Sequence, residues 1–183
     1  LDATNLIQPE LSIITNVAID HQNLLGNTVK EIATEKAGII KENTPVVVGP
    51  STNEVKQLMR SVAELNKAPL TFANLQTHYK SALLGACQHE NTATVVAAVN
   101  QLRLRNWSIS ETALSRGLAM VVQTTKLRGR WEQIATSPKV ICDTGHNLHA
   151  MQTIAAQLQK EVYQNLWIVL GLVADKDVSG LLA

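Results

Sequence analysis

Two short runs of β-branched residues, separated by a helix-like segment, restrict this chain to an α/β fold. The runs are "LSIITNV" (11–17) and "TPVVVG" (44–49). Unbroken apolar runs of this length are typical of central strands in a parallel sheet, because such strands are buried on both faces. The segment between them, "NTVKEIATEKAGII", has Asn27 or Thr28 as its candidate N-cap, and Gly38 marks its end. The sequence therefore predicts a strand, helix, strand unit.

The alternation continues toward the carboxyl end. Residues 53–66 predict an amphipathic helix. The apolar stripe of that helix is Val55, Leu58, Met59, Val62 and Leu65. A further helix is predicted in "NTATVVAAVNQLR", and the next begins at a capping box from Ser108 to Glu111.

From Lys139 a second block begins, with the strand "KVICD", the helix "LHAMQTIAAQLQKEV" and the strand "LWIVLGL". One such unit is too small to be stable alone. We therefore expect the start of a second domain, with a boundary between Gln123 and Arg130.

Composition excludes several classes of protein. The chain has 183 residues, 45% of them hydrophobic, and a net charge of +1 with no basic or acidic block, which favours a globular protein and gives no reason to expect a nucleic-acid or membrane partner. No apolar run approaches the roughly 18 residues of a membrane span. Two cysteines without a pairing motif suit a reducing compartment, so we expect the cytoplasm. The first residue is Leu rather than Met, and we expect a fragment or a processed form.

Polar side chains cluster where two predicted strands end. Asp20 and His21 follow the first strand, and Asp143, His146 and Asn147 follow "KVIC". Ligands of open α/β sheets bind at the carboxyl ends of strands, where such groups hold a ribose, a phosphate oxygen or a metal-bound water. The alternative is that the Asp and Asn side chains only cap the next helix.

Lys36 lies within an apolar helix stripe. Val29, Ile32, Ala33, Ala37 and Ile40 define that stripe. Burial lowers the pKa of a lysine and favours the neutral amine, which reacts with carbon dioxide to form a carbamate, an oxygen ligand for Mg²⁺. The alternative is a buried aliphatic stem whose ammonium reaches water.

Several segments together resemble one enzyme family. They are "LDATN", "ITNVAIDHQNLLGNTVKEIATEKAGIIK", "HENTAT", "LRGRWE" and "ICDTGHN". Their order and spacing are similar to those of folylpolyglutamate synthases and bifunctional dihydrofolate synthases, members of the Mur ligase superfamily. The resemblance implies an ATP-dependent amide ligase that adds L-glutamate to a folate or pteroate through an acyl phosphate, with ATP and Mg²⁺ as cofactors and a monomer as the complete protein.

The resemblance also implies a domain plan. Residues 1–123 resemble the carboxyl part of a three-layer Mur-ligase-like ATP-binding domain, and residues 124–183 the start of a Rossmann-like glutamate-ligase domain.

Site residues are implied position by position. The segment that contacts the pteroate corresponds to Leu1, Asp2 and Ala3. His21 matches a histidine that binds Mg²⁺, and Lys36 matches a lysine that is carbamylated to hold a second metal and counts as catalytic.

Further residues are matched to the nucleotide. Asn91 corresponds to an adenine contact, Arg130 to a phosphate contact and Asp143 to an ATP contact. His146 belongs to the same element as Asp143 and is predicted to be catalytic by helping to organise the site.

Two departures from the family pattern limit the prediction. The chain contains no G-x-x-x-x-G-K-[ST] phosphate loop, and the acidic Mg²⁺ ligand that precedes "LDATN" in the family is missing. We therefore expect no ligation by this chain alone. The alternative is a non-catalytic nucleotide-binding or interaction module left by truncation of the same fold.

Overall fold

The computed structural model describes residues 3–18 and 26–171. A short 3-10 helix, Ala3–Leu6, precedes strand β1, Ser12–Ile14. The elements that follow are helix α1 (Val29–Ala37), strand β2 (Val46–Val48), helix α2 (Asn53–Leu65) and strand β3 (Leu70–Phe72). The later elements are helices α3 (Gln88–Leu104), α4 (Glu111–Ala119) and α5 (Val121–Thr125), strands β4 (Glu132–Thr136) and β5 (Lys139–Cys142), and helix α6 (Leu148–Leu158).

The first part of the chain forms a parallel sheet in the order β1, β2, β3. Val46 of β2 pairs with Ser12 of β1 on one side and with Leu70 of β3 on the other. All three residues of β2 are fully buried, as expected for a central strand. Strand β1 lies at the edge of the described sheet and its Ile13 is 41% exposed, so the prediction of a central strand is wrong for β1. We call β1–β3 with α1–α4 the sheet unit.

Helices α1 and α2 pack on the sheet through the predicted apolar stripes. Buried side chains of both helices lie in one core with Val46 and Val48: Ala33, Ala37, Val55, Met59 and Ala63. The stripe of α2 is wrong at one position, because Leu65 is 84% exposed at the end of the helix. Ala63 is buried in its place.

Helix boundaries follow the predicted caps with one correction. Thr28 caps α1 in a capping box with Glu31, and Gly38 is the C-cap residue. The capping box predicted at Ser108 is wrong, because α4 begins at Glu111. Ser110 is its N-cap and accepts a hydrogen bond from the backbone N–H of Ala113.

The second part contains a hairpin that the sequence did not predict. Strand β5 coincides with the predicted "KVICD" strand but pairs antiparallel with β4. We call β4, β5 and α6 the hairpin unit. The predicted strand "LWIVLGL" is not formed over residues 166–171, where Trp167 is 89% exposed, because no strand of the described part of the chain pairs with it.

None of the helices within residues 3–18 and 26–171 combines the length and the apolar character that crossing a membrane requires.

Candidate functional site

Lys36 lies at the carboxyl end of β1. Its half-buried side chain donates a hydrogen bond from Nζ to the backbone carbonyl of Asn16, with an N to O distance of 2.9 Å. The four apolar neighbours Ile32, Ala33, Ala37 and Ile40 are buried as the stripe predicts. The helix therefore carries the amine to the strand end that precedes residues 19–25.

The residues predicted to contact pteroate and metal fall mostly outside the described part. Leu1, Asp2 and His21 are not described, and Ala3 begins the 3-10 helix. Among residues 3–18 and 26–171, no group of three or more His, Cys, Asp and Glu side chains is placed to hold a metal ion.

Asp143 follows β5 and ties two backbone segments together. Its Oδ2 accepts a hydrogen bond from the Trp131 N–H at 2.7 Å, and its Oδ1 accepts one from the Gly145 N–H at 2.8 Å. Trp131 is 6% exposed and has a φ of 51°, a left-handed conformation that is rare for a bulky residue. The carboxylate thus holds a strained, buried residue at the start of the hairpin.

Arg130 is held beside the same turn. Its Nη1 donates to Thr144 Oγ1 at 2.9 Å, and the Thr144 N–H and hydroxyl both donate to the Gly129 carbonyl. Gly129 has a φ of 69°, and a Cβ there would lie 2.5 Å from Thr144 Cγ2. Only glycine therefore lets the two segments approach so closely.

His146 and Asn147 have different surroundings. The His146 ring is exposed, and its Nδ1 lies 3.1 Å from the Thr144 carbonyl oxygen. Because a carbonyl only accepts, this contact requires a proton on Nδ1 and leaves Nε2 of the neutral ring as an acceptor. Asn147 is the N-cap of α6 and accepts from the Ala150 N–H, so the capping interpretation is correct for this residue.

Asn91 lies in the first turn of α3, where its exposed side chain donates from Nδ2 to the Gln88 Oε1 at 3.1 Å. Gln88 is buried, and it was not among the predicted site residues. The signal for it was the spacing of Gln88 and Asn91, three residues apart on one helix face.

Helix α3 connects the sheet edge with the hairpin unit. Near its second turn, Thr94 Oγ1 would lie only 2.9 Å from a Cβ on Gly49, which directly follows β2. Its N-cap residue is Cys87. Burial raises the pKa of the Cys87 thiol, the negative charge of Asp143 raises it further, and the Arg130 charge opposes both. Asn91, Arg130 and Asp143 are therefore brought to one end of α3.

A groove of about 570 Å³ lies elsewhere, between residues 78–80 and α4. None of the predicted site residues that the structure describes lines it. The arrangement at the start of α3 is chemically richer, because it combines a carboxylate, a guanidinium and two carboxamides.

Comparison with known proteins relates the chain to one group. No family model matches it. The dihydrofolate synthase/folylpolyglutamate synthase of Escherichia coli K12 is 33% identical over 199 residues, covering 100% of this chain and 45% of that protein. The protein of the same name from Bacillus subtilis strain 168 is 30% identical, covering 99% of this chain and 47% of that protein.

Solved structures give the same result. An FPGS–AMPPCP–folate complex superposes with a TM-score of 0.84 at 26% identity, over 99% of this chain and 49% of that one. Escherichia coli FolC in complex with DHPP and ADP gives a TM-score of 0.79 at 30% identity, over 100% of this chain and 46% of that one. The α/β structure is therefore part of the Mur-ligase fold, as predicted. By sequence over almost its whole length and by fold, the chain is similar to the dihydrofolate synthase/folylpolyglutamate synthases, and it spans about half the length of the curated relatives it matches.

Proposed function

We propose that this chain is part of an ATP-dependent ligase that joins L-glutamate to a folate or pteroate carboxylate. The observation that carries the proposal is the grouping of Asn91, Arg130 and Asp143 at one end of α3, in a chain whose relatives include an FPGS bound to AMPPCP and folate and a FolC bound to DHPP and ADP. In this proposal residues 1–123 belong to the ATP-binding domain and 124–183 to the glutamate-ligase domain. That boundary falls within α5.

The proposed reaction has two steps. A carboxylate oxygen of the folate attacks the γ-phosphorus of ATP, the bond to the ADP oxygen breaks, and an acyl phosphate forms. The amine of glutamate then attacks the acyl carbon, loses a proton, and phosphate leaves. Both steps depend on positioning and on neutralising phosphate charge.

The described residues have distinct proposed roles in that scheme. The Asn91 amide keeps an acceptor oxygen and one N–H for an adenine edge, since Nδ2 is engaged by Gln88 through one hydrogen. Arg130, fixed by Thr144, supplies positive charge for a phosphate. Asp143 holds the turn that carries Arg130, and the His146 ring, whose Nδ1 contacts the Thr144 carbonyl, is proposed to help organise the site from the same element.

Magnesium is the implied cofactor, and the fit depends on Lys36. As an ammonium that donates to the Asn16 carbonyl, Lys36 repels a cation. Carbamylation would replace that charge with the oxygen ligands that Mg²⁺ prefers, and His21 is the second proposed ligand. Bound Mg²⁺ would neutralise phosphate oxygens. We further propose a pteroate contact at residues 1–3, a monomer, and a cytoplasmic location, which the free Cys87 and Cys142 favour.

The test is an assay of the complete polypeptide that carries this sequence. Labelled glutamate, ATP and Mg²⁺ are supplied with either dihydropteroate or tetrahydrofolate, and labelled folate product and phosphate release are both measured. We expect labelled folate product and phosphate in equal amounts with at least one of the two substrates. ATP binding without glutamate incorporation would instead favour the non-catalytic nucleotide-binding module.

A further inference from the structure

The side-chain amide of Gln157 joins α6 to the loop that leads into α3. Its Oε1 accepts a hydrogen bond from the Ala86 N–H at 2.8 Å, and its Nε2 donates to the Leu84 carbonyl at 3.2 Å. The carboxamide of Gln offers both an acceptor oxygen and a donor N–H. It can therefore pair with a backbone N–H and a backbone carbonyl at the same time, as a neighbouring strand does. Gln157 belongs to the hairpin unit. Residues 84–87, which we call the 84–87 loop, lead into helix α3 of the sheet unit.

The 84–87 loop sets the position of the start of α3. The Gly85 carbonyl accepts from the Gln88 N–H, and the Cys87 carbonyl accepts from the Asn91 N–H. A Cβ on Gly85 would lie 3.8 Å from Trp131 Cβ, so the loop also lies against the hairpin. Fixing Leu84 and Ala86 therefore fixes Gln88 and Asn91 relative to Trp131.

Trp131 in turn is tied to Asp143, whose charge acts on the Cys87 thiol. The nucleotide residues of the proposed site thus come from two units, Asn91 from one and Arg130 and Asp143 from the other. The two Gln157 hydrogen bonds connect α6 of the hairpin unit to the 84–87 loop of the sheet unit.

We propose that Gln157 is a positioning residue that holds the two halves of the nucleotide site together before ATP binds. This inference rests on the proposed function. Without the amide, a smaller fraction of molecules would be in the arrangement that binds ATP. The apparent affinity for ATP is proportional to that fraction, so it would fall. Saturating ATP bridges the units and restores the arrangement, so the loss appears in KM for ATP and not in kcat.

Gln157→Met in the complete polypeptide tests the inference, because Met keeps the length of the side chain and its helix propensity but neither donates nor accepts in the same way. We expect faster hydrogen exchange at the Ala86 amide in the absence of nucleotide. We also expect KM for ATP to rise about tenfold, the effect of losing two modest hydrogen bonds, with kcat changed less than about twofold. Gln152→Met, at an exposed position of the same helix, is the control and should change neither quantity.

The outcomes separate this inference from the proposed function. Unchanged exchange at Ala86, or lost protection with an unchanged KM for ATP, overturns the positioning role. If the wild-type protein binds ATP but forms no folate product, the proposed ligase activity fails, and the Kd for ATP of the wild type and variant replaces KM as the deciding measurement. Should Gln157→Met not fold, Gln157→Glu serves, since it keeps the acceptor and removes the donor to Leu84.

Discussion

Lys36 is half-buried beside the buried side chains of Ile32, Ala33 and Ala37, and its Nζ donates a hydrogen bond to the Asn16 carbonyl. We expect Lys36→Ala in the complete polypeptide to lower the ligation rate about 100-fold, because one charge-stabilising group at a phosphoryl-transfer site is worth about that much. Lys30→Ala, at an exposed position of the same helix, should leave the rate unchanged.

A second readout for Lys36 does not depend on activity. The neutral amine attacks the carbon of carbon dioxide and releases a proton to solvent, which leaves a carbamate. With ¹³C-labelled bicarbonate, the wild-type protein should give a carbamate carbonyl signal by NMR that Lys36→Arg lacks. Near-normal rates and Mg²⁺ dependence in both Lys36 variants would contradict the catalytic role.

Asp143 is a structural residue as well as a proposed ligand contact, because each carboxylate oxygen accepts from a backbone N–H. An Asn side chain has one acceptor oxygen, so its NH₂ group would face the backbone N–H of either Trp131 or Gly145, and one of the two hydrogen bonds would be lost. We expect Asp143→Asn to lower the free energy of unfolding by about 1–3 kcal/mol, measured by urea denaturation. Unchanged stability would show that the strained Trp131 turn does not depend on the carboxylate.

At the scale of elements, the start of α1 depends on Glu31. Hydrogen bonds from the backbone N–H groups of Asn27 and Thr28 to its carboxylate lower the pKa of Glu31. A lowered folded-state pKa contributes stability that is present above the usual Glu value of about 4.3 and is lost as pH falls through the folded-state value. The helical circular dichroism signal of the wild type should fall as pH is lowered, and the part of that fall caused by protonation of Glu31 should be absent in Glu31→Gln. Glu35→Gln changes an exposed residue of the same helix and should show the same fall as the wild type.

The carboxyl end of the central strand β2 depends on Gly49. A Cβ there would lie 1.9 Å from the Thr15 carbonyl oxygen and 2.9 Å from Thr94 Oγ1. We expect Gly49→Ala to lower the free energy of unfolding by about 3 kcal/mol, because β1 and α3 would have to separate. Gly117→Ala is the matched control: it lies inside α4 with open space around it, so the same substitution should stabilise by up to about 1 kcal/mol.

At the scale of the whole molecule, the chain spans about half the length of its relatives and has no phosphate-loop motif. We expect the 183-residue chain by itself to give no measurable ATP-dependent ligation, because no such loop holds the β- and γ-phosphates. Phosphate release with each pteroate would be compared with that of the complete polypeptide. Turnover by the purified chain, in the absence of any longer species by mass spectrometry, would refute this expectation.

The sequence by itself determined the positions of strands β1 and β2, the amphipathic helices and the N-cap of α1 at Asn27 or Thr28, since these follow from local periodicity and side-chain chemistry. It also carried the family resemblance. Only the tertiary structure decided the pairing of β4 with β5, the strand β3, which the sequence did not predict, and the approach of Gln157 to Ala86. Strand pairing and contacts between residues 71 positions apart depend on how separate elements pack, and local periodicity holds no record of that packing.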